Sequence, residues 1–145
     1  MIKMTTQRLH LYTDIIPIRW RDVDPYQHVN HSVFFTYMEE ARWQWFYSLK
    51  EKINVLTPIV DAQIRFKKPL VYPGKAVIKV YAEPPAEKSW TIYHEIYSEK
   101  DTENFCVEAS VKFVAFDPKN KCVVPLPENL RAHLNPIKVG LRLKL

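Results

Sequence analysis

The sequence predicts an α+β fold in which one antiparallel sheet wraps around a single long helix. Residues 32–49 carry apolar side chains at intervals of three and four, whereas the other apolar segments alternate with a period of two. The segments follow one another as one strand, then the helix, then four strands with short polar connections. A single helix has to cover one face of the sheet that these strands form.

The chain is expected to begin its sheet with a strand over about residues 10–21, where apolar side chains share one parity. That strand ends at the polar stretch RDVDPYQHVNH, residues 21–31, which stands directly before the helical pattern. The helix is expected to run from Ser32 to about Leu49, with Asn30 or Ser32 as its N-cap. Its narrow polar side is predicted to carry Glu39, Glu40, Arg42 and Gln44.

Four more strands and a short helix are expected after the long helix. Apolar–polar alternation predicts the strands, and consecutive strands are expected to pair as an antiparallel meander. Between the first two of them, KKPLVYPGK at 67–75 holds two prolines and a glycine, which predicts a turn-rich crossover. The predicted strands cover about residues 60–66, 76–82, 90–96 and 105–115, and the short helix lies within 125–134.

The chain length of 145 residues fits one domain, predicted to span residues 1–145. No apolar run approaches the ~20 residues that cross a bilayer, and we see no secretory signal. We therefore expect a cytoplasmic protein with no membrane partner. The net charge of +5 indicates either an anionic ligand or a solvated basic surface. The basic stretches at 65–68 and 138–144 lack the repeated aromatic interleaving of a platform for single-stranded RNA, so no nucleic-acid partner is expected.

The chain contains only two glycines, Gly74 and Gly140, and this count argues against several catalytic classes. Dinucleotide-binding loops and P-loops need several glycines for tight turns and close backbone approach. The sequence also lacks the G-x-S-x-G elbow of α/β-hydrolases and the H-E-x-x-H motif of zinc proteases. Catalysis is therefore expected from other side chains, with neither a metal nor a cofactor.

The polar stretch before the long helix is the strongest candidate for an active site. A helix N-terminus presents unpaired N–H groups and the positive end of the helix dipole, which together stabilise an oxyanion. A carboxylate a few residues upstream can attack the same carbonyl, or deprotonate a water molecule beside it. The stretch from Asp24 to His31 supplies this arrangement without a serine, a cysteine or a metal.

Each residue of this stretch also has an ordinary structural explanation. A carboxylate before a proline, such as Asp24, is often only a turn-former. Asp22 can simply pair with a neighbouring arginine, and Asn30 can act only as the helix cap. The remaining side chains of the loop can lie at the surface without a chemical role: Tyr26, His28 and His31.

The segment RDVDPYQHVNHSVFFTYMEEAR resembles the signature of the hotdog-fold acyl-CoA thioesterases of the 4-hydroxybenzoyl-CoA thioesterase type. In that family a strand ends in D-x-D, followed by x-x-G-H-V-N-N and a helix with an aromatic residue and E-E-A-R. The segments RFKKPLVYPGK and EASVKFVAFD resemble later strands of the family, so the similarity spans most of residues 12–130. The resemblance implies the hotdog fold, an antiparallel sheet wrapped around one long central helix.

Position by position, the resemblance implies that Asp24 is the nucleophile or the general base, with His28 and Asn30 near the thioester. It also implies that backbone amides from about His31 to Val33 hold the oxyanion. The residues expected to contact substrate are Tyr26, His31, Ser32, Val33, Phe66, Lys67 and Lys68. Lys67 and Lys68, together with Arg65, are candidate contacts for the phosphates of coenzyme A, and surface solvation is the alternative that the sequence favours for them.

Three residues of the loop depart from the family pattern. Gln27 stands where the family usually has glycine, and His31 replaces the second asparagine. Tyr26 replaces a usually smaller residue. None of the three changes removes the carboxylate, so the expected chemistry is retained.

The resulting prediction is an acyl-CoA thioesterase that hydrolyses an acyl-CoA or acyl-carrier thioester to a free acid and a thiol. Coenzyme A is part of the substrate, and no metal or separate cofactor is expected. The resemblance implies a homodimer with the site between the subunits, often paired further into a homotetramer. Two alternatives stay open: a non-catalytic binding module for acyl-CoA or acyl carriers, and a hydroxyacyl dehydratase on the same fold.

Overall fold

The computed structural model describes residues 7–135, so Gly140 and the basic tail at 138–144 lie outside the described residues. The described part of the chain forms one antiparallel sheet, one long helix and one short helix. Within it, neither helix combines the length and the apolar character that a membrane span requires. The elements in chain order are β1 (Leu9–Pro17), a 3-10 helix (Trp20–Asp22), α1 (His31–Ser48), β2 (Ile59–Phe66), β3 (Lys75–Ala82), β4 (Ser89–Ser98), β5 (Val107–Asp117), β6 (Cys122–Val124) and α2 (Glu128–Leu134).

The strands lie in the order β1-β3-β4-β5-β2 across the sheet, and the short β6 pairs with β5. This order confirms the α+β class, but the predicted four-strand meander is wrong at its first step. β2 lies beyond β5 as an edge strand, with Ala62 opposite Val111 and Ile64 opposite Ala109. Only β3, β4 and β5 follow one another as neighbours. Period-two alternation identifies strands but does not specify their partners, which explains the error.

Two boundaries at the start and end of the sheet also differ from the expectation. β1 ends at Pro17, because Trp20–Asp22 turns into a 3-10 helix that the Arg19 and Asp22 side chains stabilise. β6 spans three residues, too few for alternation to predict it. The polar stretch therefore begins in a turn of helix and not at the end of a strand.

The long helix buries one stripe against the sheet. Its backbone lies nearest to β1 and β3, and the inward-facing side chains of β4 and β5 are buried as well. At the edge of the sheet, β2 leaves Ile59, Val60 and Phe66 about half exposed. These three side chains are therefore an exposed apolar strip on the edge strand. The buried stripe of α1 consists of Phe34, Tyr37, Met38, Ala41 and Trp45.

Candidate active site

The loop between the 3-10 helix and α1 is closed by its own backbone hydrogen bonds. The Asp24 amide donates to the His28 carbonyl, and the Gln27 amide donates to the Asp24 carbonyl, each at 2.9 Å. Gln27 closes this turn with a φ of 64°, in the left-handed region that favours glycine. The family's glycine at this position therefore has a conformational reason, and Gln27 meets the same geometry with some strain.

The crossover that follows β2 holds this loop from the side. The Val29 amide donates to the carbonyl of Leu70 at 2.8 Å, and His28 pairs with Val71 in a short antiparallel bridge. Leu70 itself is fully buried. The segment that the sequence predicts only as a crossover therefore supports the candidate active site.

The carboxylate of Asp24 has one oxygen fixed and one oxygen free. Its Oδ1 accepts hydrogen bonds from the amides of Tyr26 at 2.9 Å and His28 at 3.2 Å. Its Oδ2 has no hydrogen-bond partner among residues 7–135, and the side chain is partly exposed. Asp24 is thus a turn-former, and the same geometry leaves an oriented oxygen for a substrate or a water molecule.

A buried carboxylate, Asp22, anchors the loop to the long helix. Asp22 is 2% exposed, pairs with the Arg19 guanidinium at 3.0 Å and accepts a hydrogen bond from the Tyr37 hydroxyl at 2.8 Å. Burial alone would raise the pKa of Asp22, but the hydrogen bonds from Arg19 and Tyr37 outweigh burial and hold that pKa below its usual value. Burial and the bond to Asp22 raise the pKa of Tyr37. The Asp22 carbonyl also accepts from the Asn30 amide at 2.8 Å, which ties the helix start to this pair.

Asn30 is the N-cap of α1, one of the two caps that the sequence predicts. Its Oδ1 accepts from the Ser32 amide at 3.0 Å, and the Val33 amide donates to the Asn30 carbonyl at 2.9 Å. Within the described residues, the His31 amide has no acceptor. Of the three amides expected to hold an oxyanion, His31 therefore supplies the unpaired one, since the cap uses the other two.

The predicted contacts with substrate lie on two elements that meet at the start of α1. Tyr26, His28 and His31 have exposed side chains on the loop and on the first turn of the helix. Phe66 comes from the end of β2, and its ring centroid lies 5.7 Å from that of Phe34 in the first turn of α1. The catalytic roles of His28 and Asn30 stay predictions, because these contacts show position and not chemistry.

The candidate cations for the phosphates of coenzyme A all have partners within the chain. The Nζ of Lys67 lies 4.9 Å from the centre of the Phe105 ring. Lys68 forms an ion pair with Asp101, and its hydrogen bond lowers the pKa of Asp101 to about 2. Arg65 pairs with a glutamate of β5 at 3.0 Å. Exposed pairs of this kind contribute little to stability, so a phosphate group can compete for these cations.

A cavity of about 290 Å³ opens between the C-terminal half of α1 and the strands beside it. Arg42 lines this cavity, with its Nη1 3.4 Å from Nε2 of the buried His94. The prediction that Arg42 lies on the polar side of the helix is therefore wrong. Arg42 follows Met38 by four residues and precedes Trp45 by three, so helical spacing places it on the buried stripe. Its charge, taken alone, indicates the surface instead.

A sheet wrapped around one long helix, with an acidic loop before that helix, is the hotdog fold, as the sequence predicts. The chain belongs to the thioesterase-like superfamily, whose family model matches residues 18–134. The structure of the PA2801 protein from Pseudomonas aeruginosa supports this membership. It superposes with a TM-score of 0.78 at 31% sequence identity, covering 85% of this chain and 97% of that one.

Curated relatives and a second structure extend the comparison. FadM of Escherichia coli, named as a long-chain acyl-CoA thioesterase, is 27% identical over 128 residues, or 82% of this chain and 93% of FadM. YneP of Bacillus subtilis is 33% identical over 81 residues, so the match spans 52% of this chain and 59% of YneP. Slr0204, a 1,4-dihydroxy-2-naphthoyl-CoA thioesterase from Synechocystis, shares the fold, with a TM-score of 0.77 at 17% identity over 85% of this chain and 94% of that one.

Proposed function

We propose that this protein hydrolyses acyl-CoA thioesters, with Asp24 acting as the nucleophile or as the general base for water. The observation that carries the proposal is the Asp24 carboxylate, which two amides orient through Oδ1 while Oδ2 stays unpaired. Membership in the thioesterase-like superfamily and the similarity to FadM support it. The 4-hydroxybenzoyl-CoA type is a narrower prediction that a substrate panel has to test.

The proposed reaction moves negative charge onto the carbonyl oxygen of the thioester. An attacking carboxylate, or a water molecule that gives its proton to the carboxylate, adds to the carbonyl carbon. We expect the unpaired His31 amide, at the positive end of the α1 dipole, to donate a hydrogen bond to the resulting oxyanion. Collapse of this species breaks the C–S bond and releases coenzyme A as a thiolate. On the general-base route the free acid forms directly, whereas on the nucleophilic route the acyl group stays on Asp24 as a mixed anhydride, which water then hydrolyses to the free acid and the Asp24 carboxylate. These steps require no metal, so turnover should survive a chelator.

We further infer that the active unit is a homodimer formed through β2. β2 carries exposed apolar side chains, and one edge of this strand has no partner among residues 7–135. Two-fold antiparallel pairing of β2 with a second copy would bring the Phe66 end of one strand against the Ile59 end of the other. Phe66 contacts the start of α1, and Ile59 lines the cavity. The Asp24 loop of one copy would then face the cavity of the other, and further pairing into a tetramer stays a prediction.

Replacement of the proposed catalytic carboxylate tests the chemistry directly. Asp24→Asn keeps an Oδ1 acceptor for the Tyr26 and His28 amides but removes the charge, so turnover should fall at least ~100-fold with the fold intact. The measurement is release of coenzyme A, followed with a thiol-reactive dye over a panel of acyl-CoAs. Asp117→Asn is the matched control, because Asp117 Oδ1 also accepts from two turn amides, at 2.9 and 3.3 Å, and should show unchanged turnover.

Three outcomes of this experiment would count against the proposal. Full turnover by Asp24→Asn would remove Asp24 from the mechanism. Tight acyl-CoA binding without release of coenzyme A by the wild type would favour a binding module. Ultraviolet absorbance of an enoyl product from a hydroxyacyl thioester would favour a dehydratase.

A further inference from the structure

The cavity beside α1 is lined by a cation, Arg42, and by a carboxylate, Glu39, but the two form no ion pair. Arg42 lines the cavity, and among residues 7–135 its guanidinium makes one hydrogen-bond contact, at 3.4 Å, with His94. It forms no ion pair with any described carboxylate. Because a guanidinium has about five N–H donors, most of the hydrogen-bonding capacity of Arg42 is unused by the protein.

Glu39 attracts the charge of Arg42 but does not pair with it directly. Burial lowers the pKa of Arg42 to about 10, against an opposing attraction from Glu39, so the guanidinium stays protonated at neutral pH. His94 is fully buried, and burial together with the charge of Arg42 lowers its pKa to about 3. His94 is therefore neutral and accepts a hydrogen bond from Arg42 through Nε2. A partly buried positive charge is costly in such surroundings unless an anion joins it.

The remaining wall of the cavity suits an apolar chain. Trp90 stacks on Phe113 with ring centroids 5.3 Å apart, and Cζ of Arg42 lies 5.3 Å from the centre of the Phe113 ring. Trp45 and Leu130 are among the other apolar residues that line the cavity. The volume of about 290 Å³ lies near the lower limit of small-molecule sites, ~300–1,000 Å³. The cavity therefore combines room for a flexible apolar group with one position for an anion.

We propose that this cavity binds an apolar chain that ends in a carboxylate, and that Arg42 is the counter-ion of that carboxylate. A planar guanidinium binds a carboxylate through two parallel N–H···O bonds, which fits the unused donors of Arg42. Two sources present this chemistry: the distal carboxylate of a dicarboxylic acyl-CoA, and the carboxylate of a free fatty acid. The assignment of either one as substrate or product depends on the proposed function, whereas the binding itself does not.

Equilibrium binding of dodecanoate tests the site without any turnover. Trp45 and Trp90 line the cavity, so tryptophan fluorescence should report its occupancy. Dodecanol has the same apolar chain without the charge and is the matched ligand. The wild type should bind dodecanoate at least about tenfold more tightly than dodecanol, because hydrogen bonds to a charged group are the stronger kind.

Two charge-removing variants complete the binding experiment. Arg42→Gln should lose about tenfold in affinity for dodecanoate and keep its affinity for dodecanol. Lys112→Gln removes an exposed cation from β5 and should leave both affinities unchanged. Equal binding of the two ligands by the wild type would overturn the proposal, even if Arg42→Gln failed to fold. Unchanged binding of dodecanoate by a folded Arg42→Gln would overturn it as well.

Turnover distinguishes the two sources of the carboxylate. A preference for dodecanedioyl-CoA over dodecanoyl-CoA in kcat/KM, lost in Arg42→Gln, would assign the site to a distal carboxylate of the substrate. Inhibition by dodecanoate that weakens in Arg42→Gln would assign it to the free acid. Dodecanoate binding by a protein that hydrolyses no acyl-CoA would contradict the proposed function and still support the carboxylate site. Asp24-dependent turnover without preferential binding of dodecanoate would contradict the carboxylate site and leave the proposed function intact.

Discussion

At the scale of single residues, Asp24 shows how a turn-former and a reactive group can be one side chain. A carboxylate has two oxygens, and in this loop the amides of Tyr26 and His28 engage only Oδ1. The sequence predicts both explanations but cannot choose between them, because the hydrogen-bond partners of each oxygen depend on the folded loop. The same limit applies to the helix start, where only the structure shows that the His31 amide is the unpaired one.

The buried anchor beneath this loop can be tested by Tyr37→Phe. The change removes the 2.8 Å hydrogen bond to Asp22, so the free energy of unfolding at neutral pH should fall by about 2 kcal/mol. Tyr26→Phe is the control, because the Tyr26 side chain is 80% exposed and should change stability by less than about 0.5 kcal/mol. Both variants can be compared with the wild type by denaturant-induced unfolding.

The effect of Tyr37→Phe should depend on pH with a definite sign. The folded pKa of Asp22 lies below its ordinary value of 3.8, so ionised Asp22 stabilises the fold above that value. This contribution is lost as the pH falls through the folded pKa. The difference in stability between the wild type and Tyr37→Phe should therefore be complete at neutral pH and shrink below about pH 4. A difference that persists unchanged in strong acid would contradict the role of Asp22.

Gln27→Gly tests the strain in the turn that carries Asp24. Glycine adopts a φ of 64° without the clash that a Cβ atom brings, so the variant should be more stable by about 1 kcal/mol. Gln63→Gly is the matched control within the extended strand β2, where glycine should lower stability by about 0.5–1 kcal/mol. A loss of stability in both variants, seen in thermal unfolding, would show that the turn holds no strain.

At the scale of elements, periodicity predicted the long helix to within one residue at each end but not the order of the strands. Spacing in the sequence determines which face of an element is apolar, whereas pairing depends on where the crossover takes the chain. The position of Arg42 shows that two sequence signals can also disagree about one residue. Its spacing from Met38 and Trp45 indicated the buried stripe, and its charge argued for the surface.

The proposed role of β2 predicts that a charge on this edge will separate the subunits. Val60 is 55% exposed on β2, and Val60→Glu should give monomers in sedimentation velocity together with a loss of turnover. Ile15 is 59% exposed on β1, the opposite edge of the sheet, so Ile15→Glu should leave the dimer intact. Dissociation by Ile15→Glu and not by Val60→Glu would show that the interface lies at β1 and that our proposal is wrong.

At the scale of the whole molecule, the inward-facing side chains of β3, β4 and β5 are buried, whereas the edge strand β2 is left exposed. The backbone of α1 lies nearest to β1 and β3, and the cavity lies toward β4, β5 and β2. A sequence of one chain predicts a core but cannot show which apolar surface a second chain covers. This is why the hotdog fold and the acidic loop could be predicted, whereas the cavity with Arg42 could not.

The backbone bonding of the Asp24 loop separates reactivity from recognition. The carboxylate is held by main-chain amides, and the side chains of Tyr26 and His28 project freely from the same turn. Exchange of these two side chains would therefore leave the acid in its place while altering what lies around it. Mutations in such a loop can change which substrates it binds while the position of the carboxylate is kept.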